Sequence, residues 1–280
     1  MLNTIKRHKF LSIGLGLLLA CSVVWAVADL AGQANQTAAN AGLQQSKATL
    51  LSLKNAKPTV QKSSINWKKY NDLQKKFNVA ADELTKLEDN AQKALANGPL
   101  SDADKKAGLD AAQKVKTAGE KFAAFQEKSN CITLAKQTRT GIDSLLANAD
   151  LVFNDIDADK ISAASEKNAQ FTNAKKDYLA DAKTNLSDAD KAEMKSNMIP
   201  ALQDLGTQVN ALTGQIVNLL SDVKNQVAGG GVGGLVSCAS NAATSDNPAA
   251  TLLTPITSLL DLVKNLGTSI ADTISALTDL

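Results

Sequence analysis

Three carboxylates at alternate positions, Asp155, Asp157 and Asp159, with Glu166 twelfth counted from Asp155, have the spacing in this chain best suited to chemistry. Oxygen ligands in that pattern resemble the calcium loop of EF-hand proteins, where the last residue binds the ion through both oxygens. Two positions depart from the pattern. Lys160 stands where the loop needs a glycine, and Ile161 comes one residue too early for the usual apolar position. Moreover, Asp-Ala-Asp-Lys recurs at 102–105, 157–160 and 188–191, and Ser101 and Ser187 precede the first and third copies. A hydroxyl followed by carboxylates satisfies the free N–H groups and the dipole of a helix N-terminus. Capping explains all three copies and calcium only one, so no metal or cofactor is expected. Asp155, Asp157, Asp159 and Glu166 stand as the calcium alternative.

Other chemistry is harder to place. The one histidine, His8, lies in an N-terminal segment expected to be removed, which takes away the usual neutral-pH acid-base group and metal ligand. A serine or cysteine nucleophile would then need lysine or a carboxylate as its base, and no motif singles one out. The glycine run 229–234 lacks the Lys-Ser/Thr of a phosphate-binding loop. Trp67, Tyr70 and Phe77 share a helical seam and are expected in the core. The expectation is that the chain is not an enzyme.

The N-terminus reads as an export signal. Lys6, Arg7 and Lys9 precede an apolar stretch from Phe10 to Ala28, which ends in the small-x-small sequence Ala26-Val27-Ala28. Residues 1–28 are therefore expected to be a signal peptide and Asp29 the first mature residue, in the periplasm or outside the cell. Leu18-Leu19-Ala20-Cys21 offers a lipoprotein alternative anchored through Cys21, and an uncleaved anchor is a second. Cleavage leaves two cysteines, Cys131 and Cys238, which an oxidising compartment would pair. The closed loop of about 107 residues corresponds to about 4–5 kcal/mol in the chain-entropy model. Without Lys6, Arg7 and Lys9 the 30 basic residues become 27 against 28 acidic ones, a net charge of −1. No basic block is available to follow phosphates, so nucleic acid is not an expected partner.

The elements that must carry these residues are helices. Trp67, Tyr70, Leu73, Phe77, Ala80, Leu84, Leu87, Ala91 and Ala94 recur at steps of three and four, a heptad-like seam that Asn97-Gly98-Pro99 ends. Further helices are expected from Leu30 to Asn55 and from Asp102 to Lys128, the latter with Leu109, Ala112, Val115, Phe122 and Phe125 inward. Others follow through Leu134–Val152, Ile161–Ala182 and Leu202–Val227, and a last one from Pro255 to Leu280. Pro200 should kink or restart the helix that begins after Ser187. The fold class is all-α: an elongated up-and-down bundle with coiled-coil-like long helices.

Charge divides this bundle into two zones. Residues 29–198 carry 47 charged side chains and residues 199–280 carry eight, with none between Leu205 and Ser221. We expect a charged bundle over 29–198 and a low-charge hairpin over 199–280, hinged by the glycines at 229–234 and packed on the first zone. On that expectation the two low-charge helices are central and the charged ones cover them. The alternative is a membrane-interacting or oligomerising surface at 199–280. That layout resembles alpha-helical pore-forming toxins, in which long helices carry an apolar hairpin, and it would make the chain membrane-active. The leading functional expectation is an exported, non-enzymatic helical-bundle protein. Its role would be structural or binding, toward a protein or cell-envelope partner that the residues do not identify.

Overall fold

The computed structural model describes the backbone over residues 2–228 and 248–280, and side chains over 28–225 and 252–280. The described residues form an all-helical up-and-down bundle. Helix α1 spans Leu2–Asn55, α2 Trp67–Leu95, α3 Asp102–Lys128, α4 Ile132–Phe153, α5 Ala158–Asn185, α6 Asp188–Ala228 and α7 Pro248–Thr278. The glycine run 229–234 and Cys238 lie outside the described residues.

Local chemistry sets the helix starts. Ser101 Oγ accepts from Asp104 N at 3.1 Å and donates to Asp104 Oδ2 at 2.6 Å. Ser187 and Asp190 repeat the arrangement at 3.2 and 2.5 Å. In the middle copy Ile156 replaces the serine, and the first aspartate takes over the cap: Asp157 Oδ1 accepts from Lys160 N at 2.8 Å. At the other end of α2, Gly98 adopts φ 148°, a conformation costly for any residue with a Cβ. Asn130, at φ 62°, makes the corresponding turn between α3 and α4.

Two expected boundaries move. Pro200 lies inside α6 without breaking it, and its ring is exposed, so only one ladder hydrogen bond is lost. The charge boundary near residue 199 therefore falls within one helix rather than between two units. Pro255 is likewise internal to α7.

The centre of the bundle differs from the expected one. Helix α1 buries Leu43, Gln44, Gln45 and Ser46 in succession. Four consecutive residues at about 100° each go round a helix, so this part of α1 is covered on every side. Helix α4 is the second inner element, with Leu151, Val152 and Phe153 all buried. Helices α2, α3, α5, α6 and α7 surround this pair, and α1 packs against α2, α4, α5, α6 and α7. Small residues permit the close approach: a Cβ on Gly42 would lie 2.8 Å from Asn148 O of α4.

Helices α6 and α7 thus form an outer hairpin. Leu202, Leu205, Val209, Leu212, Ile216, Leu219 and Val223 are buried, as are Ile256, Leu259, Val263, Leu266, Ile270 and Leu277. Their outer face carries uncharged polar side chains such as Gln208, Asn210, Gln215, Thr257 and Thr268. The scarcity of charge in this zone reflects amide and hydroxyl surface and not a bare apolar face. Among the residues with described side chains, no helix is long and apolar enough to cross a membrane.

Leu109, expected inward, is 39 % exposed. Its neighbour Gly108 takes the inward position instead, directly against the Phe153 ring.

Candidate functional site

Asp155, Asp157, Asp159 and Glu166, the ligands of the calcium alternative, do not converge. Helix α5 begins at Ala158, so Asp159 is already in its first turn and Glu166 lies about 10 Å further along the axis. Lys160 Nζ fills the space a cation would need, donating to Asp155 O at 3.0 Å and Asp157 Oδ2 at 2.8 Å. Those hydrogen bonds from Lys160 hold the Asp157 carboxyl below its ordinary range. Asp155 pairs with Lys105 at 3.4 Å, and Glu166 accepts from Gln170. Among the described residues no three His, Cys, Asp or Glu side chains are grouped to hold a metal.

Cys131 is a buried thiol whose Sγ donates to Ser129 O at 3.6 Å. Burial, reinforced by the nearby Asp181 carboxylate, pushes it up to about 11. The expected partner Cys238 lies outside the described residues. Tyr70 and Phe77 do join the core, and the half-buried Trp67 packs against it. Tyr70 packs edge-on against Trp67 at 5.5 Å and against Phe122 at 5.1 Å, and Phe77 stacks on Phe122.

What the residue pattern missed is a run of polar side chains through the interior. At one end Ser46 Oγ of α1 donates to Glu88 Oε1 of α2 at 2.9 Å. From the adjacent position on α1, Gln45 Nε2 donates to Thr49 Oγ1 at 3.2 Å, and Thr49 shares a hydrogen bond with Ser144 of α4 at 3.1 Å. Ser144 Oγ and Asn148 Nδ2 then both donate to Asn168 Oδ1 of α5 at 2.8 Å. Asn168 returns the bond to Asn148 Oδ1 at 3.3 Å.

This run ends at a cleft of about 320 Å³ between α5 and α7, with Gln45 of α1 and Asn168 contributing to its walls. Leu262 and Leu266 supply an apolar strip; Asn173, Asn265, Thr172 and Ser269 supply amides and hydroxyls. Lys176 and Asp272 form an ion pair across the cleft at 3.0 Å. Beside it the buried Lys175 Nζ donates to Ser269 Oγ at 3.2 Å, and Ser269 shares a hydrogen bond with Thr172 at 3.0 Å. Burial lowers Lys175 to about 8; Asp272 opposes that effect and Lys176 adds to it. The ionisable side chains lining two other concavities, between α2 and α3 and between α1 and α6, are all exposed.

A lysine of lowered basicity touching a serine is half of an acyl-transfer site. The other half, a pair of free N–H groups aimed at a developing oxyanion, does not come from the α7 backbone here. Ser269 sits in the middle of α7, where backbone N–H groups are used by the helix ladder. In comparisons with known proteins, no family model, curated protein or solved structure matches this chain.

Proposed function

We propose that the chain is an exported, non-enzymatic helical-bundle binding protein whose ligand site is the cleft between α1, α5 and α7. The carrying observation is that cleft: polar groups from three helices converge on it, and a buried lysine stands directly behind its lining. In this reading residues 1–28 are a signal peptide cut after Ala28, which leaves the α1 segment beginning at Asp29 as the axis of the mature bundle. The coiled-coil-like character belongs to the long α2 and α6 seams. In this reading Cys131 and Cys238 also form a disulfide.

Two measurements test this. N-terminal sequencing of protein recovered from the periplasm or medium should begin at Asp29. A thermal-shift screen of small polar compounds on the mature protein should yield ligands whose effect is lost in Ala169→Trp, because Ala169 is exposed and lines the cleft. Protein retained in the cytoplasm, or ligands indifferent to Ala169→Trp, would count against the proposal. The membrane-active alternative requires α6 and α7 to leave α1 and α5. Release of dye from anionic liposomes by the mature protein would favour it.

A further inference from the structure

We infer that the ligand of this cleft is a small hydroxylated carboxylate, held by Thr172 and Ser269 with Lys175 behind them and by the amides of Asn173 and Asn265. The inference rests on the cleft being the binding site. Its basis is a charge imbalance. Lys176 is matched by Asp272 at 3.0 Å, and Asp272 is the one carboxylate in the lining. Lys175 has no ion-pair partner among the described residues; Ser269 is its hydrogen-bond acceptor, and the face of Phe171 lies 5.7 Å away. With Lys175 directly behind the lining, the cleft and its backing together hold one more cation than anion, and an ammonium out of water gains most from a nearby negative charge.

The hydroxyls carry that preference into the cleft. Lys175 donates to Ser269, so the Ser269 oxygen is an acceptor, while the Thr172–Ser269 bond uses one of the two hydroxyl hydrogens. The other is left for an acceptor in the cleft, polarised by the cation behind it. Asn173 and Asn265 each offer a donor and an acceptor, which matches ligand hydroxyls better than an apolar tail. A volume of about 320 Å³ is at the small end of ligand sites and suits a ligand of monosaccharide size.

The test uses D-glucuronate and D-glucose as paired probes in titration calorimetry with the full mature chain. Glucuronate should bind at least about tenfold tighter than glucose, the range expected for hydrogen bonding to a charged group. Lys175→Met should level the two. Equal binding of both sugars, abolished by Ala169→Trp, would overturn the carboxylate assignment and leave the cleft reading intact. Binding of neither sugar would overturn the ligand class, and the compound screen with Ala169→Trp then decides the cleft reading separately. A direct readout avoids reliance on the variant: the NMR titration of the Lys175 side chain should move to higher pH with glucuronate present. An unmoved titration would also overturn the inference.

Discussion

Ser46 Oγ donates to Glu88 Oε1 at 2.9 Å across the α1–α2 interface, and both residues are fully buried. The second carboxyl oxygen, Oε2, has no hydrogen-bond partner, and the nearby Lys47 is committed to Asp89 at 3.0 Å. Burial therefore dominates, and the Glu88 acid is pushed up to about 8, with Asp89 adding to the effect and Ser46 and Lys47 opposing it.

The consequence for stability has a definite sign. The folded state holds the Glu88 proton up to about pH 8, whereas the unfolded chain releases it near 4.5. Stability is complete below the lower value and falls as pH rises toward the upper one, by on the order of a few kcal/mol. Glu88→Gln should flatten the urea-denaturation free energy across this window and be the more stable form above pH 8. A variant that keeps the wild-type slope would show that Glu88 is ionised in the fold.

Lys175 acts in the opposite direction and in the next window. Its folded value of about 8 lies below the unfolded 10.5, so stability present above 10.5 is lost as pH falls through 8. The two groups together predict a stability minimum near pH 8. Lys175→Met should remove the rise on its alkaline side and raise the midpoint of thermal unfolding at pH 7, with a gain of roughly 1–3 kcal/mol.

Glycine positions should divide by what surrounds them. A Cβ at Gly42 meets Asn148 O at 2.8 Å and Val152 Cγ2 at 3.2 Å, so Gly42→Ala should cost about 1–3 kcal/mol despite better helix propensity. Gly214 has nothing within 4 Å, and Gly214→Ala should stabilise by about 0.5–1 kcal/mol. Chemical denaturation of the two variants side by side checks the pair.

The strap between α1 and α2 is pinned to α5 at two points. Lys57 N donates to Tyr178 Oη at 2.6 Å, and the same hydroxyl donates to Lys57 O at 3.0 Å. Close by, Asp181 accepts from Thr59 at 2.5 Å, Thr133 at 2.7 Å and Asn185 at 2.6 Å. Burial would raise the Asp181 carboxyl, but these three hydrogen bonds outweigh it and hold the group below its ordinary range. Tyr178→Phe should cost about 1–3 kcal/mol and speed hydrogen exchange at the Lys57 amide, because it leaves two backbone groups unpaired.

The outer helices were legible because polar and apolar residues alternate on them at helical spacing. Tyr70, Phe77 and Leu84 of α2 and the Leu202–Val223 stripe of α6 are buried as their periodicity predicts. The repeated Asp-Ala-Asp-Lys segments open helices as expected. The axis was not legible from apolar periodicity, because a helix covered on all sides shows none. Its signal was a different one: no charged residue occurs from Leu30 to Ser46, although glutamine, asparagine and threonine interrupt the apolar residues there. The cleft was hidden for a similar reason. Lys175 and Lys176 are adjacent in sequence, and only the packing of α7 on α5 makes one buried and the other exposed.

The order of the helices along the chain also shapes how the protein comes to fold. Helix α1 precedes the helices that cover it, and several of them are distant in sequence; Thr49 waits for Ser144, 95 residues away, and α6 and α7 follow later still. Contacts so distant in sequence slow folding, because the chain must close large loops before they form. Helix α1 is thus fully enclosed only once those distant segments have arrived. Its side chains suit that delay, since serine, threonine, asparagine and glutamine keep the waiting helix hydrated and can later enter the core without leaving a charge to be neutralised.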